Sequence, residues 1–239
     1  MTLVPIDRAE SAKWCRKSPR RIRKNALRTA PLLLCYITDR TQLGEDESHR
    51  RLKLLEKIKA AVEYEVDYIQ VRETDLAIRE LESLARDAVH ILRQSSTSRT
   101  KLLINSRVDV AMSVCADGIH LRSNDISPVD VRKACRAAGN ERPPVIGVSC
   151  HTGADVAKAA EAGADFAVFG PVFEKKDSPD FIVRGIDRLH SACEYSIPVL
   201  ALGGVTHENA ALCLKAGAKG VAGIRLFQEG DMAETIARL

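Results

Sequence analysis

Polar side chains follow three apolar runs in the middle of the chain, and their types suit the binding of phosphate groups and a metal ion. They are Gln70 and Arg72 in "YIQVRE", Asn105 and Ser106 in "LLINSR", and Asp125 in "HLRSND". An arginine can grip phosphate oxygens through paired N–H donors. A carboxylate beside an amide oxygen offers Mg²⁺ the ligands that it prefers. We therefore predict a Mg-pyrophosphate site, and an ion pair between Arg72 and a carboxylate inside the protein is the structural alternative.

A second set of residues suits a phosphate monoester. Gly203 and Gly204 lie between an apolar run and the helix-forming stretch "THENAALCLKAG", and Ile224 and Arg225 end the run "GVAGIR". Exposed backbone N–H groups in such loops, assisted by the positive end of a helix dipole, form a common phosphate site of barrel enzymes. A pair of glycines also serves tight turns, so the position of the pair in the fold decides the interpretation.

The elements that must hold these residues are predicted by the alternation of short apolar runs with longer segments of helical period. Eight βα units in 239 residues predict an α/β fold, a closed (β/α)8 TIM barrel. In that fold the chemistry lies at the carboxyl ends of the strands, where both sets of residues lie, together with Ser149 and His151 after the fifth strand. The predicted strands are 32–38, 67–72, 101–105, 117–121, 144–148, 165–170, 198–202 and 219–224.

Four segments repeat one pattern, in which a helix end passes through a turn of small residues into a strand. They begin alternate barrel units, which supports the count of eight. The glycine in three of these turns suits the left-handed conformation that closes a helix. No linker or change of composition interrupts residues 31–239, so we predict a single barrel domain there. The four segments are "EYEVDYIQVR", "SVCADGIHLR", "EAGADFAVFG" and "KAGAKGVAGI".

Positive charge is concentrated at the start of the chain. The net charge is +4, but residues 1–30 hold nine Lys or Arg against Asp7 and Glu10, a net +7, which leaves −3 elsewhere. Such a stretch could be a nucleic-acid or membrane-surface arm, an organellar targeting peptide or a solvated tail. Because the basic run 16–28 has no interleaved aromatic residue and no nucleic-acid-binding module is recognisable, we predict a flexible, solvated extension and no nucleic-acid partner.

Apolar runs and cysteine usage bear on location. The longest runs, such as "PLLLCYI", are far shorter than the roughly 20 residues that span a bilayer, and no apolar signal segment follows the basic start. Seven cysteines without a C-x-x-C pair are typical of reduced thiols in a protein core. The sequence therefore predicts a cytoplasmic protein that binds no membrane, and it leaves a homo-oligomer open.

Seven motifs follow one another over about residues 32–228: "YITDR", "DYIQVRETD", "LLINSRVDVA", "ADGIHLRSND", "IGVSCHT", "GADFAVFGPVF" and "PVLALGGVTHENA". Together they resemble the thiamine phosphate synthase family, including its thiazole tautomerase relatives. The resemblance implies a TIM barrel that joins 4-amino-5-hydroxymethyl-2-methylpyrimidine pyrophosphate to a thiazole phosphate and releases pyrophosphate. It also implies Mg²⁺ as cofactor and a dissociative substitution, in which positive charge stabilises the departing pyrophosphate.

The resemblance assigns a role to each matching residue. Gln70 and Arg72 would hold the pyrophosphate with help from Asn105, and Asp125 would ligate Mg²⁺. Ser149 would lie near the pyrimidine and the leaving group. The thiazole phosphate would bind to the backbone at Gly203, Gly204, Ile224 and Arg225.

Three positions depart from the family pattern. The chain has Thr74 where the family usually has lysine, Ser106 where it has aspartate, and "EKKDSP" in place of a Thr-x-Thr-Lys loop. These changes remove cations and a metal ligand where a leaving pyrophosphate needs them. Lys175 as a substrate ligand and Lys176 as a catalytic cation could compensate, or the pair is an ordinary solvated loop. Arg122 and Arg225 are further possible donors, at positions where the family has small or neutral residues.

Two alternative functions stay open. In the tautomerase branch, a histidine at the position of His151 acts as acid and base on the thiazole phosphate, work that suits a pKa near neutrality. "SCHT" fits both branches, whereas the weakened pyrophosphate motif favours the tautomerase. His120 is interpreted as a packed barrel residue rather than a catalyst. A non-catalytic protein that binds phosphate ligands is the other alternative.

Overall fold

The computed structural model describes residues 32–95, 98–174 and 182–239. The basic extension predicted for residues 1–30 lies outside them. The described residues all fall within one unit, Leu32–Leu239. None of the helices in this part of the chain combines the length and the apolar composition needed to cross a membrane.

Within the described residues, eight parallel strands close into a barrel in which each strand pairs with the next and the last pairs with the first. This confirms the predicted (β/α)8 fold. One strand, β5, extends beyond its predicted range and ends at Cys150, so Ser149 lies in the strand and not after it. The strands are β1 (Leu33–Ile37), β2 (Tyr68–Val71), β3 (Lys101–Asn105), β4 (Gly118–Leu121), β5 (Val145–Cys150), β6 (Phe166–Phe169), β7 (Val199–Ala201) and β8 (Gly220–Gly223).

The described residues also form nine α-helices and one short 3₁₀ helix (Arg40–Gln42). The second α-helix shows why they pack: its buried residues Leu81, Leu84, Ala85 and Ala88 recur at the spacing of one helix face. The α-helices are α1 (Glu47–Glu63), α2 (Ile78–Gln94), α3 (Val108–Ser113), α4 (Pro128–Ala137), α5 (Gly153–Glu161), α6 (Gly185–Ala192), α7 (Ala210–Lys215), α8 (Arg225–Gln228) and α9 (Met232–Ala237).

Successive residues of each strand face opposite sides of the barrel wall. Tyr36, Leu102 and Phe169 belong to the large core between strands and helices. Polar side chains at inward positions are exceptions to an apolar interior, and they are therefore the candidates for a site. A smaller cluster fills the barrel itself: Cys35, Ile37, Leu103, Phe166, Val168, Leu200 and Ala222.

In the turns that enter alternate strands, one residue predicted to adopt the left-handed conformation does not adopt it. Gly163 and Gly217 have φ angles of +75° and +103°, as expected for the glycine that closes a helix. Before β4, however, Cys115 adopts this conformation with φ of +52°, and Gly118 begins the strand. A Cβ at Gly118 would lie 1.9 Å from the carbonyl oxygen of Val145. This glycine therefore permits close packing against β5 and does not form the turn.

Candidate active site

Polar side chains occupy inward positions on four neighbouring strands, β2 to β5. Gln70 Nε2 donates to Asn105 Oδ1 at 2.8 Å, and His120 Nε2 lies 2.9 Å from Ser149 Oγ. Gln70 and His120 are 2% and 1% exposed. These side chains form a polar stripe on the inside of the barrel wall. Three of its four members, Gln70, Asn105 and Ser149, are residues for which the sequence predicted binding or catalysis.

His120 is the member for which no binding or catalytic role was predicted. Burial lowers the pKa of its imidazole to about 4, and the positive charge of Arg72 contributes, so the ring is neutral near pH 7. The ring packs 6.1 Å from the ring of Phe166, and a Cβ at Gly147 would come within 2.8 Å of its Nδ1. The interpretation as a packed residue is thus confirmed, but the hydrogen bond to Ser149 also makes His120 a positioning residue. An apolar sequence context gave no signal for that bond.

The stripe continues into a hydrogen-bonded chain across the ends of β2, β3 and β4. Asn105 Nδ2 donates to Ser106 Oγ at 3.3 Å, and Ser106 Oγ donates to Asp125 Oδ2 at 2.6 Å. Asp125 Oδ1 in turn lies 3.1 Å from Arg122 Nη2. The structure therefore brings together four of the five predicted residues of the pyrophosphate site, Gln70, Asn105, Ser106 and Asp125, and it pairs Asp125 with Arg122.

Ser106 reaches Asp125 because its backbone is in the left-handed region, with φ of +58°, which few non-glycine residues adopt. Burial would raise the pKa of Asp125, but the hydrogen bonds from Ser106 and Arg122 and the charge of Arg122 outweigh it and lower this pKa. The carboxylate is therefore ionised near neutrality.

The residues around Asp125 fit a Mg²⁺ ion that has few protein ligands. Within the described residues, no group of three His, Cys, Asp or Glu side chains could hold a metal ion. Asp125 supplies one carboxylate, with the hydroxyl of Ser106 beside it. Mg²⁺ commonly binds through one or two carboxylates, with waters and substrate phosphates as its other ligands. Such an ion would depend on the substrate for much of its coordination.

Arg72 lies close to this chain. Its side chain is exposed, and within the part of the chain that the structure describes it forms no hydrogen bond or ion pair. An internal ion pair of Arg72, the structural alternative, is therefore absent there. The pKa of His120 responds to the charges of both Arg72 and Asp125, so both charges act on the same imidazole.

A buried network that sequence reasoning missed fixes the loop after β2. Arg40 is 4% exposed and binds Asp75 through both Nη atoms, at 2.7 and 2.9 Å. It also contacts Glu73 at 3.2 Å. The Thr38 hydroxyl donates to Glu73 and accepts the backbone N–H of Arg72 at 3.0 Å. The network thus ties the backbone of Arg72 to the loop after β1.

Charge states in this network follow from burial and pairing. Burial raises the pKa of Glu73 in spite of its hydrogen bonds from Thr38 and Arg40. The hydrogen bonds of Arg40 lower the pKa of Asp75. Charged residues at the ends of two neighbouring strands were the signal in the sequence, but it could not show which of them pair.

The two glycines after β7 lie in a tightly packed turn. Gly203 and Gly204 have φ angles of +91° and +65°. Added Cβ atoms would come within 2.5 Å of Pro171 Cβ and 2.6 Å of the Glu174 carbonyl oxygen, respectively. Within the described residues, neither glycine N–H donates a hydrogen bond. The turn therefore requires glycine.

The other residues that were predicted to bind the two substrates lie at the start of α8 or outside the described residues. Ile224 precedes α8 and makes no side-chain cap, and Arg225 is the first residue of that helix. Lys175 and Lys176 lie outside the described residues. Since β3 and β7 are four strands apart in a ring of eight, the polar chain and the glycine turn lie on opposite sides of the barrel.

His151 follows β5, and its side chain faces the end of β6 rather than joining the polar chain. Its Nδ1 is 2.7 Å from the carbonyl oxygen of Gly170. A carbonyl can only accept, so Nδ1 carries the proton and a neutral ring has Nε2 as an acceptor. The backbone N–H of His151 donates to Asp155. This arrangement presents an oriented imidazole at the end of β5.

Comparisons with known proteins show which family the chain resembles. Residues 34–227 match the family model described as thiamine monophosphate synthase. The thiamine-phosphate synthase of Salinibacter ruber is 37% identical over 183 residues, 75% of this chain and 74% of that protein. That of Chloroflexus aurantiacus is 32% identical over 205 residues, 85% and 88% of the two. The thiamine phosphate pyrophosphorylase structure from Pyrococcus furiosus matches with a TM-score of 0.71 at 28% identity, covering 87% of this chain and 93% of that one.

Proposed function

The chain belongs to the thiamine monophosphate synthase family, as its motifs predicted, and we propose that it acts as a thiamine-phosphate synthase. It joins the pyrimidine pyrophosphate to a thiazole phosphate and releases pyrophosphate. The observation that carries the proposal is the polar chain from Gln70 to Asp125 on the barrel side opposite the glycine turn. One side suits a diphosphate and the other a monophosphate.

The reaction requires positive charge at the departing pyrophosphate and alignment of the two substrates. The bond between the pyrimidine methylene carbon and the pyrophosphate oxygen breaks, and its electron pair leaves with the oxygen. The ring nitrogen of the thiazole then gives its lone pair to the methylene carbon, so the C–N bond forms with no proton transfer. Preorganised donors at the departing oxygens are the main catalytic means in such a step.

Each residue of the polar chain has a role in this scheme. Arg72 binds the pyrophosphate through its exposed guanidinium, and Gln70 and Asn105 orient it. Ser149, which is held by His120, donates its hydroxyl to the pyrimidine or to the leaving group. His120 is neutral and contributes no charge to the site.

Asp125 would hold Mg²⁺, with Ser106 beside it. When bound, the ion supplies positive charge at the departing pyrophosphate. We expect Asp125→Ala to lower the rate at least tenfold, and the effect should persist at saturating pyrimidine substrate. Free thiols at all six described cysteines suit a reducing compartment, and we propose the cytoplasm as the location.

The deciding experiment mixes the full-length protein with the pyrimidine pyrophosphate, the thiazole phosphate and Mg²⁺. Thiamine phosphate is followed by chromatography with fluorescence detection after oxidation. We expect its formation to depend on both substrates. If no thiamine phosphate forms while the thiazole phosphate still binds, the synthase proposal is wrong.

A tautomerase is the second candidate, and the orientation of His151 favours it. Its Nδ1 is committed to Gly170, so Nε2 can move a proton on a thiazole bound near the glycine turn. Exchange of thiazole protons in D₂O, followed by NMR without the pyrimidine substrate, tests this. Exchange that disappears in His151→Asn would favour the tautomerase, and no exchange in the unaltered protein would exclude it.

A further inference from the structure

Asp125 is already paired with a cation of this chain. Arg122 Nε and Nη2 lie 3.2 and 3.1 Å from Asp125 Oδ1, and the backbone N–H of Arg122 donates to Oδ2 at 2.8 Å. The side chain of Asp125 is 12% exposed, whereas that of Arg122 is 63% exposed. The carboxylate is thus fixed by the fold, and the guanidinium that it orients extends into solvent.

The pairing uses only part of the guanidinium. An arginine side chain carries five N–H donors. Asp125 accepts a hydrogen bond from Nε, and Nη2 lies within ion-pair distance of the same carboxylate oxygen. No other residue in the described part of the chain binds this guanidinium. Its remaining donors are therefore unpaired among the described residues, on an exposed side chain whose planar fork suits phosphate oxygens.

The electrostatics of the strand end explain why a cation there matters. Residue 106 is a serine that donates to Asp125, so this position adds no second carboxylate. The pair of Asp125 and Arg122 has no net charge and does not repel a diphosphate. A pair of carboxylates would repel that ligand until a metal ion neutralised them.

We propose that Arg122 is a substrate-binding residue that donates its outward N–H groups to the pyrophosphate, so that this chain binds the diphosphate with less dependence on Mg²⁺. The inference rests on the proposed function for the identity of the diphosphate. Asp125 then has two roles, because it orients Arg122 and holds the metal.

Binding of inorganic pyrophosphate to the full-length protein in EDTA tests the proposal without turnover. Isothermal titration calorimetry should show binding at least fivefold weaker for Arg122→Ala, with Arg122→Lys intermediate because the charge is kept and the fork is lost. Arg86→Ala is the matched control, since Arg86 is 61% exposed and paired with Glu82 at 2.6 Å. It should bind pyrophosphate as the unaltered protein does.

Turnover gives a second readout. The Mg²⁺ concentration for half-maximal thiamine phosphate formation should rise at least threefold in Arg122→Ala and stay unchanged in Arg86→Ala. Equal pyrophosphate affinity in EDTA for Arg122→Ala and the unaltered protein would overturn the inference. If pyrophosphate binds through Arg122 but no thiamine phosphate forms under any condition, the synthase proposal fails and the binding role stands.

Discussion

At the scale of single residues, His120 shows how burial changes the chemistry of a side chain. Its imidazole is 1% exposed, and burial, with a contribution from Arg72, lowers its pKa to about 4. In the unfolded chain the imidazole has an ordinary pKa of about 6.5. Between about pH 4 and 6.5 the unfolded state therefore binds a proton that the folded state does not.

This difference predicts a loss of stability in acid. The free energy of unfolding should fall as the pH decreases from about 6.5 to about 4, and His120 should account for on the order of 3 kcal/mol of that loss by pH 4. His120→Gln has no titrating group, so its stability should fall less over the same range. Urea denaturation at several pH values measures both proteins, and parallel pH curves would contradict the buried, neutral imidazole.

Ser106 offers a test of the proposed metal site. Ser106→Asp places a second carboxylate beside Asp125, and aspartate tolerates the left-handed backbone of this position better than most residues. We expect the Mg²⁺ concentration for half-maximal rate to fall at least threefold, with a rate at saturating Mg²⁺ that is equal or higher. Ser106→Asn is the control, because it has the same shape without the charge. Loss of activity in Ser106→Asp at saturating Mg²⁺ would show that the metal lies elsewhere.

Residue types could be predicted from the sequence, but side-chain partners could not. Strand periodicity and the motifs located Gln70, Asn105 and Asp125 at neighbouring strand ends. The contact of Ser106 with Asp125 depends on a positive φ angle at a serine, and the residue type does not predict that angle. The pairing of Arg122 with that same carboxylate follows from loop geometry in the same way.

At the scale of elements, Arg40 holds the loops after β1 and β2 together. Its guanidinium is almost fully buried and is shared by Glu73 and Asp75. Glu73 is 4% exposed, so it would be a buried charge without its main cation if Arg40 were removed. Breaking one side of such a pair is far more costly than losing a surface ion pair.

Arg40→Ala should therefore lower the free energy of unfolding by roughly 3 kcal/mol. Arg86→Ala removes an exposed ion pair and should cost less than about 1 kcal/mol. Urea denaturation at pH 7 compares the two variants with the unaltered protein. Arg40→Lys should recover only part of the loss, because an ammonium cannot make the two parallel bonds to Asp75. Equal stability of Arg40→Ala and Arg86→Ala would contradict the network.

The positions of the elements were more predictable than their ends. Each strand shows an apolar run, and burial on both faces makes such runs conspicuous. The end of β5 was missed because Ser149 is polar but lies within the strand, facing His120. The turn before β4 was assigned to Gly118 because glycine is the usual left-handed residue, whereas Cys115 adopts that conformation.

At the scale of the whole molecule, the closed order of the strands separates the two proposed binding sides. β2 to β4 carry the polar chain, and the glycine turn follows β7. In the proposed function, a monophosphate and a diphosphate thus occupy one barrel without competing for donors. The strand count predicted from the sequence implies this arrangement, because a ring of eight strands makes β3 and β7 opposite.

This separation predicts that each of two substitutions weakens the binding of only one of the two ligands. Gly204→Ala places a Cβ 2.6 Å from the Glu174 carbonyl oxygen and should weaken thiazole phosphate binding at least tenfold, while pyrophosphate binding changes less than twofold. Arg72→Ala should weaken pyrophosphate binding at least tenfold and change thiazole phosphate binding less than twofold.

Gly139→Ala is the control, because Gly139 also has a positive φ angle but its Cβ would meet open space. This variant should leave both affinities unchanged. Calorimetry with each ligand measures all three variants. If Gly204→Ala weakened both ligands equally, the two phosphates would share one site, and the assignment of opposite sides would be wrong.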